Sequence, residues 1–225
     1  TQEVKDPSWA VTSTGPGRAI VTRWGNDVTP VGRILVPGWY YVPGEPGLAG
    51  SFVFYSDDGG VSWNRGGLPA PMTNEAQLIE LTDGSILMDA RQNDDEDSET
   101  RFVFRSDDGG LSWSAPEPGL TMTTIMAGVS RHSATRDGDT RDLLIHTGVA
   151  PEGRIDVRVW LSEDEAETWT DETVLAPGFA QYSLTTILDD QTVGLVYESI
   201  EMEQPDFGAL NVRFARFDVA YVEAD

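Results

Sequence analysis

"FVFYSDDGGVSW" at residues 52–63 returns as "FVFRSDDGGLSW" at residues 102–113. The apolar lead-in, the paired aspartates, the paired glycines and the closing tryptophan are all kept. A third, decayed copy, "VRVWLSEDEAETW", covers 157–169, with Ala166 in the place of the second glycine. Self-similarity at a period of about fifty residues marks a repeat architecture. Each copy opens on a short apolar run and ends on Trp63, Trp113 or Trp169. Between two such landmarks the polar stretch must be a turn. Ser56 and Asp58 are short enough to hydrogen-bond the turn's own backbone. Gly60 supplies a backbone angle that a side chain would forbid, and Trp63 packs under the hairpin. Ser106, Asp108, Gly110 and Trp113 repeat the set, and Ser162, Asp164 and Trp169 keep most of it. A calcium ion takes about six to eight oxygen ligands, more than one such turn offers, so the repeated aspartates read as architecture.

A second repeat lies between the first. "AQLIELTDGSILMDAR" (76–91) and "SLTTILDDQTVGLVYE" (183–198) both read as two strands around a polar turn, and "RAIVTRWGNDVTPVGRILVPGWYY" (18–41) is a longer version. Helical periodicity is absent. About four short strands per repeat make the chain all-β and point to a β-propeller.

Composition narrows the function classes. The 225 residues hold 38 acids against 15 bases, a net charge of −23, and Lys5 is the single lysine. Such a chain does not seek nucleic acid or an anionic membrane surface. Acid-rich, lysine-poor surfaces suit a saline environment, where counterions screen self-repulsion; an ordinary acidic protein fits as well. No apolar run approaches a membrane span. The chain has no cysteine, so disulfides and thiolate metal sites are excluded. His132 and His146 are too scattered for zinc, and the acidic run "NDDEDSE" (93–99) reads as a solvated loop. No metal and no cofactor are expected.

Strand direction locates the chemistry. In a propeller repeat the first strand runs down, the second up, the third down and the fourth up. The repeated acidic turns join third to fourth strands, on the lower face. The start of a first strand and the end of a second share the upper face. There the 76–91 hairpin begins after Glu75 and ends at Arg91, and the 183–198 hairpin begins after Tyr182 and ends at Glu198, the same sixteen residues on. Arg154 closes a loop leading into a third strand, and Trp39 and Tyr41 end the first hairpin. Two carboxylates, two arginines and three aromatic residues are thus expected opposite the acidic turns. Singly, each of these residues is more often a surface ion pair or a packing residue.

In these segments the chain resembles the sialidases (exo-α-neuraminidases), a glycoside hydrolase family whose repeats carry the Asp box, S-x-D-x-G-x-[ST]-W. "GPGRAI" with "GRILVP", "NEAQLIELTDGSILMDARQ" and "YSLTTILDDQTVGLVYE" carry the resemblance, which runs from about residue 14 to 221. It implies a six-bladed propeller of which this chain supplies about four blades, with residues 1–225 as part of one domain, its C-terminal two-thirds. It implies an exo-α-sialidase that removes terminal sialic acids from glycoconjugates with retention through a tyrosyl intermediate. Tyr182 matches the nucleophile, Glu75 its base, Arg91 and Arg154 two arginines of the substrate carboxylate site, and Glu198 the glutamate that steadies the first arginine. Trp39 and Tyr41 would line the substrate site. The chemistry is coherent: arginines grip carboxylates through paired charged hydrogen bonds, and a neutral phenol avoids the repulsion a carboxylate nucleophile would meet at sialic acid.

The family's first arginine and its acid/base aspartate have no match here. Three arrangements fit: a separate N-terminal fragment or chain completes the site, the chain is truncated and inactive, or it closes as a small propeller with another task. The last would be a non-catalytic sialoglycan-binding protein or scaffold. A secreted or cell-surface location is expected from the resemblance.

Overall fold

The computed structural model describes residues 4–44, 49–69, 72–93, 99–200 and 210–224; residues 94–98 of the acidic run and Ala209 lie outside them. The chain divides into two compact units, Thr1–Leu120 and Thr121–Asp225.

The first unit holds two antiparallel sheets. In one, β1 (Val11–Thr14) and β2 (Ile20–Val21) both pair with β3 (Ile34–Tyr41), which continues to β4 (Ala49–Ser56) and β5 (Asn64–Arg65). The other runs β6 (Thr73–Glu80), β7 (Ile86–Gln92), β8 (Thr100–Ser106), β9 (Glu117–Thr121). Alternation along the strands puts Leu35 and Val53 of the first sheet against Leu78, Met88 and Phe104 of the second, all fully buried. Each such side chain contributes about 1.5–3 kcal/mol by leaving water. The segment joining β1 to β2 leans onto β6, where a Cβ on Gly17 would stand 1.9 Å from the Ala76 carbonyl oxygen. Only glycine permits that approach.

The second unit is one six-stranded sheet in chain order: β10 (Gly128–Ser133), β11 (Leu143–Val149), β12 (Ile155–Ser162), β13 (Thr170–Ile187), β14 (Val193–Ser199), β15 (Asn211–Phe217). The long β13 serves twice, pairing with β12 through residues 170–179 and with β14 through 180–187. Buried hydroxyls lace β10 and β11 to its second half: Ser130 Oγ meets Thr185 Oγ1 at 2.8 Å, and Thr147 Oγ1 meets Ser183 Oγ at 3.1 Å. The last strand, β15, ends at Phe217. Asp218 takes the backbone N–H of Tyr221 on its carboxylate at 2.9 Å and caps a five-residue helix, α1 (Val219–Glu223).

All three Asp boxes close the same way. The Ser56 hydroxyl donates to Asp58 at 2.8 Å and accepts from the Gly60 N–H at 2.8 Å, while Asp58 accepts from the backbone and hydroxyl of Ser62 at 2.8 and 2.6 Å. Those donations from Ser62, with that from Ser56, hold the Asp58 carboxyl down at about 2 against its ordinary 3.8. Ser106, Asp108, Gly110 and Ser112 reproduce the pattern, as do Ser162, Asp164, Ala166 and Thr168. Trp63 donates to the Gly60 carbonyl and meets Phe54 edge-on at 5.3 Å. Trp113 donates instead to the Gly67 carbonyl, and Trp169 sits edge-on to buried His146 at 5.2 Å.

The decay of the third copy has a backbone cost. Gly60 and Gly110 take φ of 90° and 89°, and Ala166 is held at 68°. A left-handed alanine is strained by about 1–2 kcal/mol, offset in part by glycine's larger unfolded-state entropy. Ala166→Gly is therefore expected to stabilise the protein by about 0.5–1 kcal/mol, read from the urea midpoint at unchanged m-value. A loss of stability would show that the alanine is not strained.

Arg33 ties the first two boxes together. Its side chain is buried, forks onto both oxygens of Asp57 at 2.7 and 2.9 Å, and donates to the Asp108 and Gly109 carbonyls at 3.2 and 3.0 Å. Nearby, the buried Glu80 carboxylate accepts from three successive backbone N–H groups, Arg23, Trp24 and Gly25, at 2.7, 3.1 and 2.7 Å.

Candidate active site

In the first unit the ends of the strands away from the Asp boxes carry the expected residues. β4 runs from Ala49 through Ser51, whose hydroxyl donates to the Asn74 carbonyl at 2.7 Å, down to the first box at Ser56. Glu75 follows Asn74. The sequence reading starts the hairpin after Glu75, whereas β6 begins at Thr73. The difference is a β-bulge: Thr73 faces Gln92 and Ala76 faces Ala90, so β6 carries one extra residue. The bulge re-aims Glu75, whose backbone N–H is held by Asn74 Oδ1 at 2.6 Å. Its carboxylate accepts from Arg91 Nη1 at 2.9 Å, with both side chains mostly buried, at 13 % and 21 % exposure. Trp39 is half-buried and stands opposite Ser51, on the Leu35 face of β3. Tyr41 is 42 % exposed at the end of β3, and among the described residues no hydrogen bond joins it to the Glu75–Arg91 pair.

The second unit repeats the device. Ala180 faces Ser199 and Ser183 faces Tyr197, so β13 is bulged by one residue against β14. The register that sets Ala76 against Ala90 puts Glu75 across from Arg91; the register that sets Ser183 against Tyr197 puts Tyr182 across from Glu198. Glu75 and Tyr182 therefore occupy the same position in two copies of one hairpin. Arg154, just ahead of β12, is drawn to this bulge. Its carbonyl accepts from the Ala180 N–H at 3.0 Å, and its Nη1 donates to the side-chain carbonyl of Gln181. The third Asp box closes the other end of β12, beyond Ser162, roughly 25 Å of strand away. Within each unit, then, the boxes and the candidate residues stand at opposite strand ends.

Two supporting residues have no signal in the sequence. Asn74 and Gln181 sit on no apolar period, and each gains its role from a bulge, which depends on the partner strand.

Chemically, the strand ends of the first unit offer an arginine beside a carboxylate, and those of the second unit offer, by themselves, an arginine, a phenol and a carboxylate. Residues 2–197 match the BNR repeat-like domain family. The chain belongs to that Asp-box family. Its relatives over most of its length are sialidases. One from Bacteroides fragilis (strain YCH46) is 29 % identical over 203 residues, 88 % of this chain and 36 % of the relative. One from Micromonospora viridifaciens is 29 % identical over 222 residues, 96 % of this chain and 32 % of the relative. The chain thus spans about a third of the length of the curated relatives it matches. Among solved structures, the Hadza microbial sialidase Hz136 superposes with a TM-score of 0.79 at 25 % identity, over 97 % of this chain and 40 % of that one. The Ruminococcus gnavus intramolecular trans-sialidase gives 0.77 at 22 % identity, over 98 % and 47 %, a likeness of fold. The chain is all-β with the propeller fold of the sialidases. Among the described residues, no helix is long and apolar enough to cross a membrane.

Proposed function

We propose that this protein is an exo-α-sialidase that removes terminal sialic acids from glycoconjugates, with retention of configuration. Residues 1–225 form part of a single six-bladed propeller domain, of which they supply about four blades; the unbroken family match across both units supports this. Tyr182 is the nucleophile: its phenolic oxygen bonds to the anomeric carbon as the glycosidic bond breaks, and water then releases the sugar. Glu75 is the base that takes the phenolic proton. Arg91 and Arg154 hold the substrate carboxylate, Glu198 steadies a further arginine, and Trp39 and Tyr41 line the site. The mechanism also needs an acid for the leaving oxygen. That acid and the further arginine come from N-terminal sequence, in the same or a separate chain, and residues 1–225 alone turn over negligibly. A secreted or cell-surface location suits such a substrate.

One observation carries the reading. The same bulge presents Glu75 across from Arg91 and Tyr182 across from Glu198, in two hairpins of one repeat. Bulges that re-aim a side chain are concentrated beside active sites.

Arg154→Ala is expected to weaken binding of a 2,3-unsaturated sialic acid analogue by about 2–5 kcal/mol, as truncating one side of a desolvated charge pair does. Calorimetry on the protein carrying its N-terminal part measures this; unchanged affinity would sink the assignment. Binding that responds to Arg154 without any turnover of an aryl sialoside would favour a sialoglycan-binding propeller.

A further inference from the structure

The two arginines are held by chemically different partners. Arg91 is paired with the Glu75 carboxylate at 2.9 Å, so that pair carries no net charge. Arg154 is held by an amide, Gln181, through its Nη1. Among the described residues Arg154 has no ion pair with a carboxylate. We propose that Gln181 is a positioning residue for Arg154: it fixes the guanidinium without neutralising it, so that Arg154 supplies the net positive charge that binds the sialic acid carboxylate.

The local geometry supports this. Gln181 is 6 % exposed, so its side chain has little freedom. The chain around it is tied to Arg154 a second time, by the Ala180 N–H on the Arg154 carbonyl at 3.0 Å. With both its backbone and its head anchored to consecutive residues of the bulge, the arginine is pre-ordered before any ligand arrives. An amide oxygen accepts a charged hydrogen bond as a carboxylate does but brings no charge. A carboxylate here would leave a bound carboxylate facing a neutral pair, in a half-buried site where like charges are costly. Because Gln181 directly precedes Tyr182, the bulge that re-aims the phenol also sets the amide.

The inference rests on the sialidase reading for its ligand but not for its geometry, so two measurements separate them. In the 15N-arginine NMR spectrum, with Arg154 assigned through Arg154→Lys, the Arg154 side chain is expected to show restricted guanidinium rotation. Gln181→Ala and the nearly isosteric Gln181→Met should free it, and Gln181→Glu should keep it restricted. Thermal melts confirm that each variant is folded. Calorimetry with the 2,3-unsaturated sialic acid analogue should show about 10- to 100-fold weaker binding in Gln181→Ala, from loss of a charged hydrogen bond. Gln181→Glu should weaken it by about 100-fold or more, while affinity for the methyl ester of the same analogue hardly changes between wild type and Gln181→Glu. Equal guanidinium mobility in wild type, Gln181→Ala and Gln181→Met would overturn the positioning role. Equal binding of the acid by wild type and Gln181→Glu would overturn the charge argument. Restricted rotation in a wild-type protein that does not bind the analogue would leave the positioning role standing and overturn the sialidase reading.

Discussion

Replacing Arg101 by methionine is expected to destabilise the protein by about 3–5 kcal/mol, the loss seen when one partner of a buried ion pair is removed. Arg101 is fully buried in β8, and its Nε donates to both oxygens of the equally enclosed Asp89 at 2.7 and 2.9 Å. A further bond runs from its Nη2 to the Asp89 carbonyl at 3.2 Å. Without the guanidinium, an ionised carboxylate stays in the core. The double variant Asp89→Leu/Arg101→Met should recover much of the loss, because charge burial rather than volume is the cause. Urea unfolding at constant m-value measures both. A single-variant loss under about 1 kcal/mol would show that water reaches the pair. Asp89 lies two residues from Arg91 on the same face of β7, so the pair is also the footing of the Glu75–Arg91 contact.

The second large effect is on chemistry. In the protein carrying its complete site, Tyr182→Phe is expected to lower sialoside turnover by at least about 10³-fold, since no other group in the proposed scheme forms the covalent bond. Affinity for the unsaturated analogue should change little, because the analogue cannot accept the nucleophile. A fluorinated sialosyl fluoride should label Tyr182 in the wild type, and peptide mass spectrometry locates the label. Turnover within tenfold of wild type, or a label elsewhere, would remove the tyrosine from the mechanism.

The legible part of this fold was what repeats. Apolar runs of strand length around Gly-, Asp- and Ser-rich turns recur, so the hairpins and the direction of each strand could be read from 52–63 and its copies. The matching offsets of Glu75 to Arg91 and of Tyr182 to Glu198 followed from the same hairpins. What stayed hidden depends on partners distant in sequence. Arg33 looks like any strand-end arginine until it meets Asp57 and the carbonyls of Asp108 and Gly109, 24 to 76 residues away. Glu80 holds backbone 55 to 57 residues behind it. The bulges that present Glu75 and Tyr182 are mismatches between two strands, which neither strand reveals alone. Short α1 escaped because five residues are too few to show a helical period.

Both hairpins turn over at the Asp-box end, where Leu81 N–H reaches the Ser85 carbonyl in one and Leu188 N–H reaches the Thr192 carbonyl in the other. Insertions at those tips would lengthen the spacing from Glu75 to Arg91, or from Tyr182 to Glu198, yet leave each pair facing across the ladder. One residue added between the bulge and the tip would do the reverse, sliding one strand against its partner and exchanging its inward and outward faces. The count of sixteen is thus incidental, and the ladder register is what evolution has to protect. Natural length variation in this domain should gather at the hairpin tips and be rare along the paired strands, and a library of single-residue insertions scored for folding would trace that boundary.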